Sequence, residues 1–196
     1  MQIITTQTAV YSFDELSKEA QQKAIEKECE IISEYWTGDF VLDTCTEWLN
    51  LLGFYGTKIY YSGFWSQGDG ACFIGKYSFD KNAVDKITTD YPQFTELQDI
   101  AKRLQELQQK VDNSLVASIS QRGMYCHENS MEFHIDMDTE EFNCEVEELF
   151  TIVCQDVAKM IYNYLYECYE YDTSEESAKE SILANDYEFL IDGTIY

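Results

Sequence analysis

The residue types best suited to chemistry gather in CHENSMEFHIDMD, residues 126–138. On an extended strand side chains alternate. His134, Asp136 and Asp138 then point to one side, and Phe133, Ile135 and Met137 to the other. An imidazole and two carboxylates on one face could hold a divalent metal, with His127 as a further ligand or as a base. The chain has only two histidines, and neither HExxH nor a paired CxxC accompanies them. The solvated face of an amphipathic strand explains the same alternation without a metal, so no cofactor is implied.

A second stretch, SGFWSQGDGACF (62–73), carries G-x-x-x-x-G spacing at Gly63 and Gly68. A phosphate loop needs Lys and then Ser or Thr at the next two positions. Asp69 and Gly70 stand there instead, and an Asp would repel the phosphate. The stretch therefore reads as a hairpin turn, with Gly68-Asp69-Gly70 supplying positive-φ positions. On that reading Tyr61, Gly63 and Trp65 share one sheet face, and Tyr60, Phe64 and Ser66 the other. The functional alternative is a rigid loop that offers Trp65, Gln67 and Asp69 to a partner, since Trp is a frequent interface anchor.

No Ser/His/Asp or Cys/His pattern supports nucleophilic catalysis, and a non-enzymatic role is expected. The strongest signal is charge: 37 acids against 13 bases, net −24. Residues 1–50 carry −7, residues 51–127 are neutral, and residues 128–196 carry −17. Such a chain should repel nucleic acid and anionic membranes and attract basic surfaces. At one charge per ~1.7 Å of duplex axis, −24 compares with about a dozen base pairs of DNA. Solubility alone is the bland explanation of the acidity.

Two groups could present that charge. Asp138, Glu140, Glu141, Glu145, Glu147 and Glu148 cluster where a long helix is expected to begin, more acids than the helix dipole explains. Further along, Tyr162, Tyr166 and Tyr169 follow helical spacing and should pack inward. Tyr164, Glu167, Tyr171 and Asp172 then lie partly exposed, suited to meeting arginines.

Several elements must position these residues. QIITTQTAVY (2–11) reads as an opening strand. Ser12 and Glu15 have capping-box spacing at the start of a helix over about 12–36, in which Ser17 can cap a second turn; its inward stripe runs through Ala20, Ala24, Ile25, Ile31, Ile32 and Tyr35, interrupted by Glu28. After Gly38 a second helix turns Phe40, Val41, Cys45, Trp48, Leu49 and Leu52 inward. Strands flank the Gly-rich turn within 56–79, a helix covers 94–113, and strands 114–121 and 130–138 follow. The long helix spans about 139–171 and a short amphipathic one 173–186. YEFLIDGTIY (187–196) closes as a hairpin around Asp192-Gly193. Hairpins grouped between helices predict a single α+β domain, its antiparallel sheet of hairpins packed against several helices, with an acidic helical C-terminal half at about 139–183.

Seven cysteines without paired spacing read as reduced, mostly buried thiols. No stretch is apolar enough to span a bilayer, and the first residues lack the features of a signal peptide.

Four blocks taken together, YSFDELS (11–17), SGFWSQGDGACF (62–73), MYCHENSM (124–131) and ANDYEFLIDG (184–193), give a resemblance covering most of the chain. It resembles an uncharacterised family of tailed-bacteriophage proteins. The resemblance implies a viral origin and the host bacterial cytoplasm as workplace; it carries over no catalytic residues. By analogy of class, small acidic phage proteins resemble anti-restriction and anti-CRISPR inhibitors that imitate DNA. The expectation is an inhibitor that binds a basic nucleic-acid-binding protein of a bacterial defence system. It would bind neither nucleic acid nor membrane. A metal-dependent enzyme or nucleotide-signal binder built around His127 and His134 is the alternative.

Overall fold

Both capping signals near the start form, but they start two separate elements rather than one helix. The Glu15 carboxylate accepts from the Ser12 amide at 2.8 Å and the Ser12 hydroxyl at 3.0 Å, closing a short 3-10 turn at Phe13–Glu15. The Ser17 hydroxyl then accepts from Ala20 N–H at 3.2 Å and starts helix α1, Lys18–Tyr35. In the computed structural model, which describes all residues except 2, 5, 6 and 139–143, the helices that follow are α2 (Asp39–Leu51), α3 (Ala83–Asp90), α4 (Thr95–Gln109), α5 (Cys144–Asp172) and α6 (Glu175–Ala184). Four strands, β1 (Phe54–Tyr61), β2 (Ala71–Ser78), β3 (Val116–Gln121) and β4 (Met131–Asp136), form one antiparallel sheet in that order. The class is α+β, as expected. Among the described residues no helix is long and apolar enough to cross a membrane.

The chain divides into two compact units: residues 1–38 with 167–196, and residues 39–166. In the first, α1 and α6 bury a small core of Phe13, Leu16, Ala20, Ala24, Ile25, Ala178, Ile182 and Phe189. Glu28, the break in the apolar stripe of α1, is itself buried, and the Ser181 hydroxyl donates to its carboxylate at 2.8 Å. That hydrogen bond explains how a carboxylate occupies a core position.

In the second unit the sheet buries an aromatic centre. Phe54, Phe73, Tyr77 and Phe150 have neighbouring ring centroids 5.0–5.2 Å apart, in the offset and edge contacts that aromatic quadrupoles favour. Buried Gln108 bonds both ways to the Leu115 backbone, at 2.8 and 3.2 Å, and fixes the turn between α4 and β3. The apolar stripe of α4, from Leu97 to Leu107, is buried as its period demands.

Five sequence expectations need correction. The opening strand is absent among its described residues, and only Tyr11 makes a bridge, to Phe189; residues 2, 5 and 6 of that reading lie outside the described residues. β-branched composition favours a strand only where an edge is offered to it. The closing hairpin, by contrast, forms around Asp192-Gly193: Phe189 bridges Ile195, Leu190 N–H donates to the Thr194 carbonyl at 2.8 Å, Tyr196 N–H donates to the Glu188 carbonyl at 2.9 Å, and Gly193 turns the chain at φ 84°. Phe40, expected inward, is exposed in the first turn of α2, and Tyr35, expected on the inward stripe of α1, is exposed as that helix's last residue. α3 was not foreseen, because Ile87, Thr88 and Thr89 are poor helix formers. Finally, β1 ends at Tyr61, so the alternating faces assigned to residues 63–66 do not exist.

Candidate interaction surfaces

Tyr61 pairs with Ala71, leaving residues 62–70 as a nine-residue loop. The loop closes on itself: Ser62 N–H donates to the Gly70 carbonyl at 3.1 Å, and Gly70 N–H to the Ser62 hydroxyl at 3.2 Å. At its tip Ser66 N–H donates to the Asp69 carboxylate at 2.6 Å, and Asp69 N–H returns to the Ser66 carbonyl at 3.1 Å. Gly68, at φ 96°, supplies the left-handed position. Asp69 therefore holds the turn, a structural duty beside any contact role, while Gln67 is exposed.

Phe64 ties the loop to α5. Its ring lies 5.7 Å from Tyr162, 5.6 Å from Tyr166 and 6.0 Å from Tyr61. The Tyr162 hydroxyl donates to the Gly63 carbonyl at 3.3 Å. Trp65 meets Tyr166 edge-on at 6.1 Å and keeps 71% of its surface exposed. Tyr162 and Tyr166, expected to pack inward, are half-buried and pack on the loop rather than in the core. Met124 and Tyr125, both exposed, sit on the β3–β4 connection at the same end of the sheet.

The residues nominated along α5 have separate fates. Glu140 and Glu141 lie outside the described residues. Asp138 is exposed just past β4, and its N–H donates to the Ser114 hydroxyl at 3.0 Å. Glu145 pairs with Lys110 at 2.8 Å, which holds its carboxyl below the usual range, though both side chains remain open to solvent. Glu148 is exposed and Glu147 half-buried. Tyr164 packs its ring 4.7 Å from Trp48 and 6.0 Å from Phe94, so most of its surface serves the core. In the first unit Glu167 and Tyr171 are exposed, whereas the Asp172 carboxylate accepts from the Trp36 indole at 2.8 Å.

The His and Asp residues do not form a metal centre. His134 and Asp136 are on the exposed face of β4, Asp138 is beyond its end, and His127 caps a 3-10 turn by accepting from Asn129 N–H at 3.2 Å. Among the described residues no group of three or more His, Cys, Asp or Glu is placed to hold a metal ion.

Sequence order concealed the most acidic surface. The first unit takes acidic segments from both ends of the chain: sixteen acids and four lysines, net −12, in 68 residues. On α1, Glu19, Glu26, Glu30 and Glu34 are exposed; on α6, so are Glu175, Glu176 and Glu180. Of the four lysines, Lys23 engages Asp192 at 2.7 Å and Lys27 engages Glu30 at 2.8 Å. None of the α6 glutamates had been nominated. The run SEESAKES showed their charge, but not that α6 folds against α1.

No curated protein and no solved structure matches the chain. Residues 36–175 match the model of one family, a span that includes all of the second unit. The chain belongs to that family, described as Domain of unknown function (DUF8835).

Proposed function

We propose that this protein is a non-enzymatic acidic inhibitor that occupies the basic nucleic-acid groove of a bacterial defence nuclease, working in the host cytoplasm. One observation carries the reading: α1 and α6 bring acidic segments from opposite ends of the chain into a single unit of net −12. A solvated helix needs some charge, but solubility does not require half of the whole charge on about a third of the residues. Exposed carboxylates on two packed helices suit arginines and lysines that otherwise hold phosphates. The long-range field would speed encounter, and the contact would weaken with salt. Trp65 adds a rigid aromatic contact in the second unit, on a loop braced by Phe64 and Tyr162. The phage resemblance supplies the defence setting, and the groove is the surface in a cell whose chemistry best matches this charge.

The test is capture of partners from a bacterial host lysate on the immobilised protein, followed by a salt titration of the captured complex. A basic nucleic-acid-binding protein released progressively between low and high salt supports the reading. A captured partner that is acidic, or whose retention ignores salt, refutes it.

A further inference from the structure

The two outer edges of the sheet are unlike. On β1 the register breaks between Tyr55 and Lys58, and a lysine stands on the strand; both features discourage a further strand from pairing. β4 pairs with β3 without a break from Met131 to Asp136 and carries no Pro, Lys or bulge. The phase of β4 is fixed at both ends. Arg122 N–H donates to the Ser130 carbonyl at 2.8 Å, and Asp138 N–H donates to the Ser114 hydroxyl at 3.0 Å. Even-numbered residues therefore turn their backbone groups towards β3, and by alternation Met131, Phe133 and Ile135 turn theirs outward. Among the described residues no strand pairs with that edge. Side chains share the alternation. Those of Met131, Phe133 and Ile135 turn to the covered face, where Phe133 meets Phe150 of α5 edge-on at 6.3 Å. Alongside runs an open groove lined by Phe133, Ile135, Cys144 and Thr151, with Glu147 and Glu148 on the α5 side. Glu132, His134 and Asp136 stand exposed on the opposite face. Arg122 approaches Glu132 at 3.6 Å with both side chains open to solvent, and Lys76 stands two strands inward. Asp136 makes no ion pair among the described residues. Carboxylates thus flank the outward edge on both faces.

We propose that the outer edge of β4 takes an extended segment of a partner protein that alternates apolar and basic residues, adding a fifth strand to the sheet. Apolar side chains opposite Met131, Phe133 and Ile135 would enter the groove, and the same residues' backbone groups would bond to the outward groups of β4. The intervening Lys or Arg side chains would lie beside Glu132 and Asp136 as cross-strand pairs of opposite charge. A second copy of this chain fits the edge poorly. It would bring Glu132 and Asp136 of two chains, each of net −24, onto one face. The edge lies wholly in the second unit, and the inference does not rest on the inhibitor reading.

The probe is a short, end-blocked fluorescent peptide alternating Val with Lys or Arg, titrated with the full chain at physiological salt and read by anisotropy. In a strand added to β4, the residues that face the groove also turn their amides to the edge. N-methylation of the valine amides should therefore weaken binding at least about tenfold, and N-methylation of the Lys and Arg amides should leave it within about twofold. The double variant Glu132→Lys, Asp136→Lys changes two exposed side chains. It should lose the basic peptide at least about tenfold and bind a Val–Glu version in its place. Equal losses from the two methylations, or no saturable binding, would overturn the proposal; so would a double variant that binds the basic peptide as wild type does. Ile135→Pro removes an outward N–H and leaves the β3–β4 ladder whole. A peptide-free chain that sediments as a dimer, and as a monomer in that variant, would put a second copy on the edge and also overturn the proposal. Because the methylated peptides decide the matter on the wild-type protein, a variant that fails to fold does not obscure it.

Discussion

The Trp36 indole N–H donates to the Asp172 carboxylate at 2.8 Å, within the unit formed by the two chain ends. Tyr169 meets the same indole edge-on at 5.3 Å and shares a 2.7 Å hydrogen bond with Ser33. Asp172 therefore braces the junction between α1 and the last turn of α5. Asp172→Ala is expected to lower stability by about 1.5 kcal/mol, the size of a hydrogen bond to a charged group. Urea unfolding measures it, and an unchanged midpoint would show the contact to be idle.

The buried pair Glu28 and Ser181 should respond asymmetrically. Ser181→Ala strands a buried carboxylate and is expected to cost about 1–3 kcal/mol. Glu28→Gln keeps an acceptor for the hydroxyl and should cost less. Equal losses in the two variants, read by urea titration, would mean that the hydrogen bond is not what makes Glu28 tolerable there.

Two glycines with similar backbone angles should differ sharply. Gly68 and Gly193 both have positive φ. A methyl group at Gly68 meets open space, while one at Gly193 would overlap the Ala20 carbonyl oxygen. Gly68→Ala should cost about 1 kcal/mol of backbone strain, and Gly193→Ala at least about 2 kcal/mol more, because backbone must move. Thermal unfolding of the two variants gives the comparison.

These cases show what the sequence made legible. Capping at Ser12 and Ser17 and the stripe of α4 follow local rules and form; Gly68 takes the left-handed position expected of it, though Asp69 and Gly70 do not. The β-branched opening segment failed because a strand needs an edge, and that is a tertiary fact. Glu28 looked like an interruption because its partner is 153 residues away. The acidic face of α6 was hidden for the same reason: charge is visible in a linear run, but not the helix that it folds beside.

Ionisation adds an alkaline signature. Burial pushes the Tyr77 phenol up to about 12, against an ordinary tyrosine value of about 10. The folded state then holds a proton that the unfolded state has lost between those values. The stabilisation is complete below about pH 10 and disappears as pH rises towards about 12, on the order of 2–3 kcal/mol in all. Tyr77→Phe should flatten that alkaline limb. If wild type and variant lose stability in parallel above pH 10, the buried phenol is not its source.

At the acid end, Lys23 and Thr194 draw the Asp192 carboxyl down to about 2. Its contribution is complete above the ordinary aspartate value of about 3.9 and vanishes as pH falls through about 2. Asp192→Asn should remove that acid-side dependence, as read from unfolding midpoints between pH 4 and pH 2. The pair is solvent-exposed, so high salt should shrink the difference.

Competition with DNA tests the central proposal most directly. A basic partner captured from host lysate is held on the immobilised protein at low salt, and a duplex DNA fragment is titrated across it. DNA should displace the partner at unchanged salt. A variant with Glu26, Glu30, Glu175, Glu176 and Glu180 changed to Gln should yield to at least tenfold less DNA. A stable ternary complex of protein, partner and DNA, or displacement indifferent to those five glutamates, would contradict the claim that the acidic helices occupy the nucleic-acid groove.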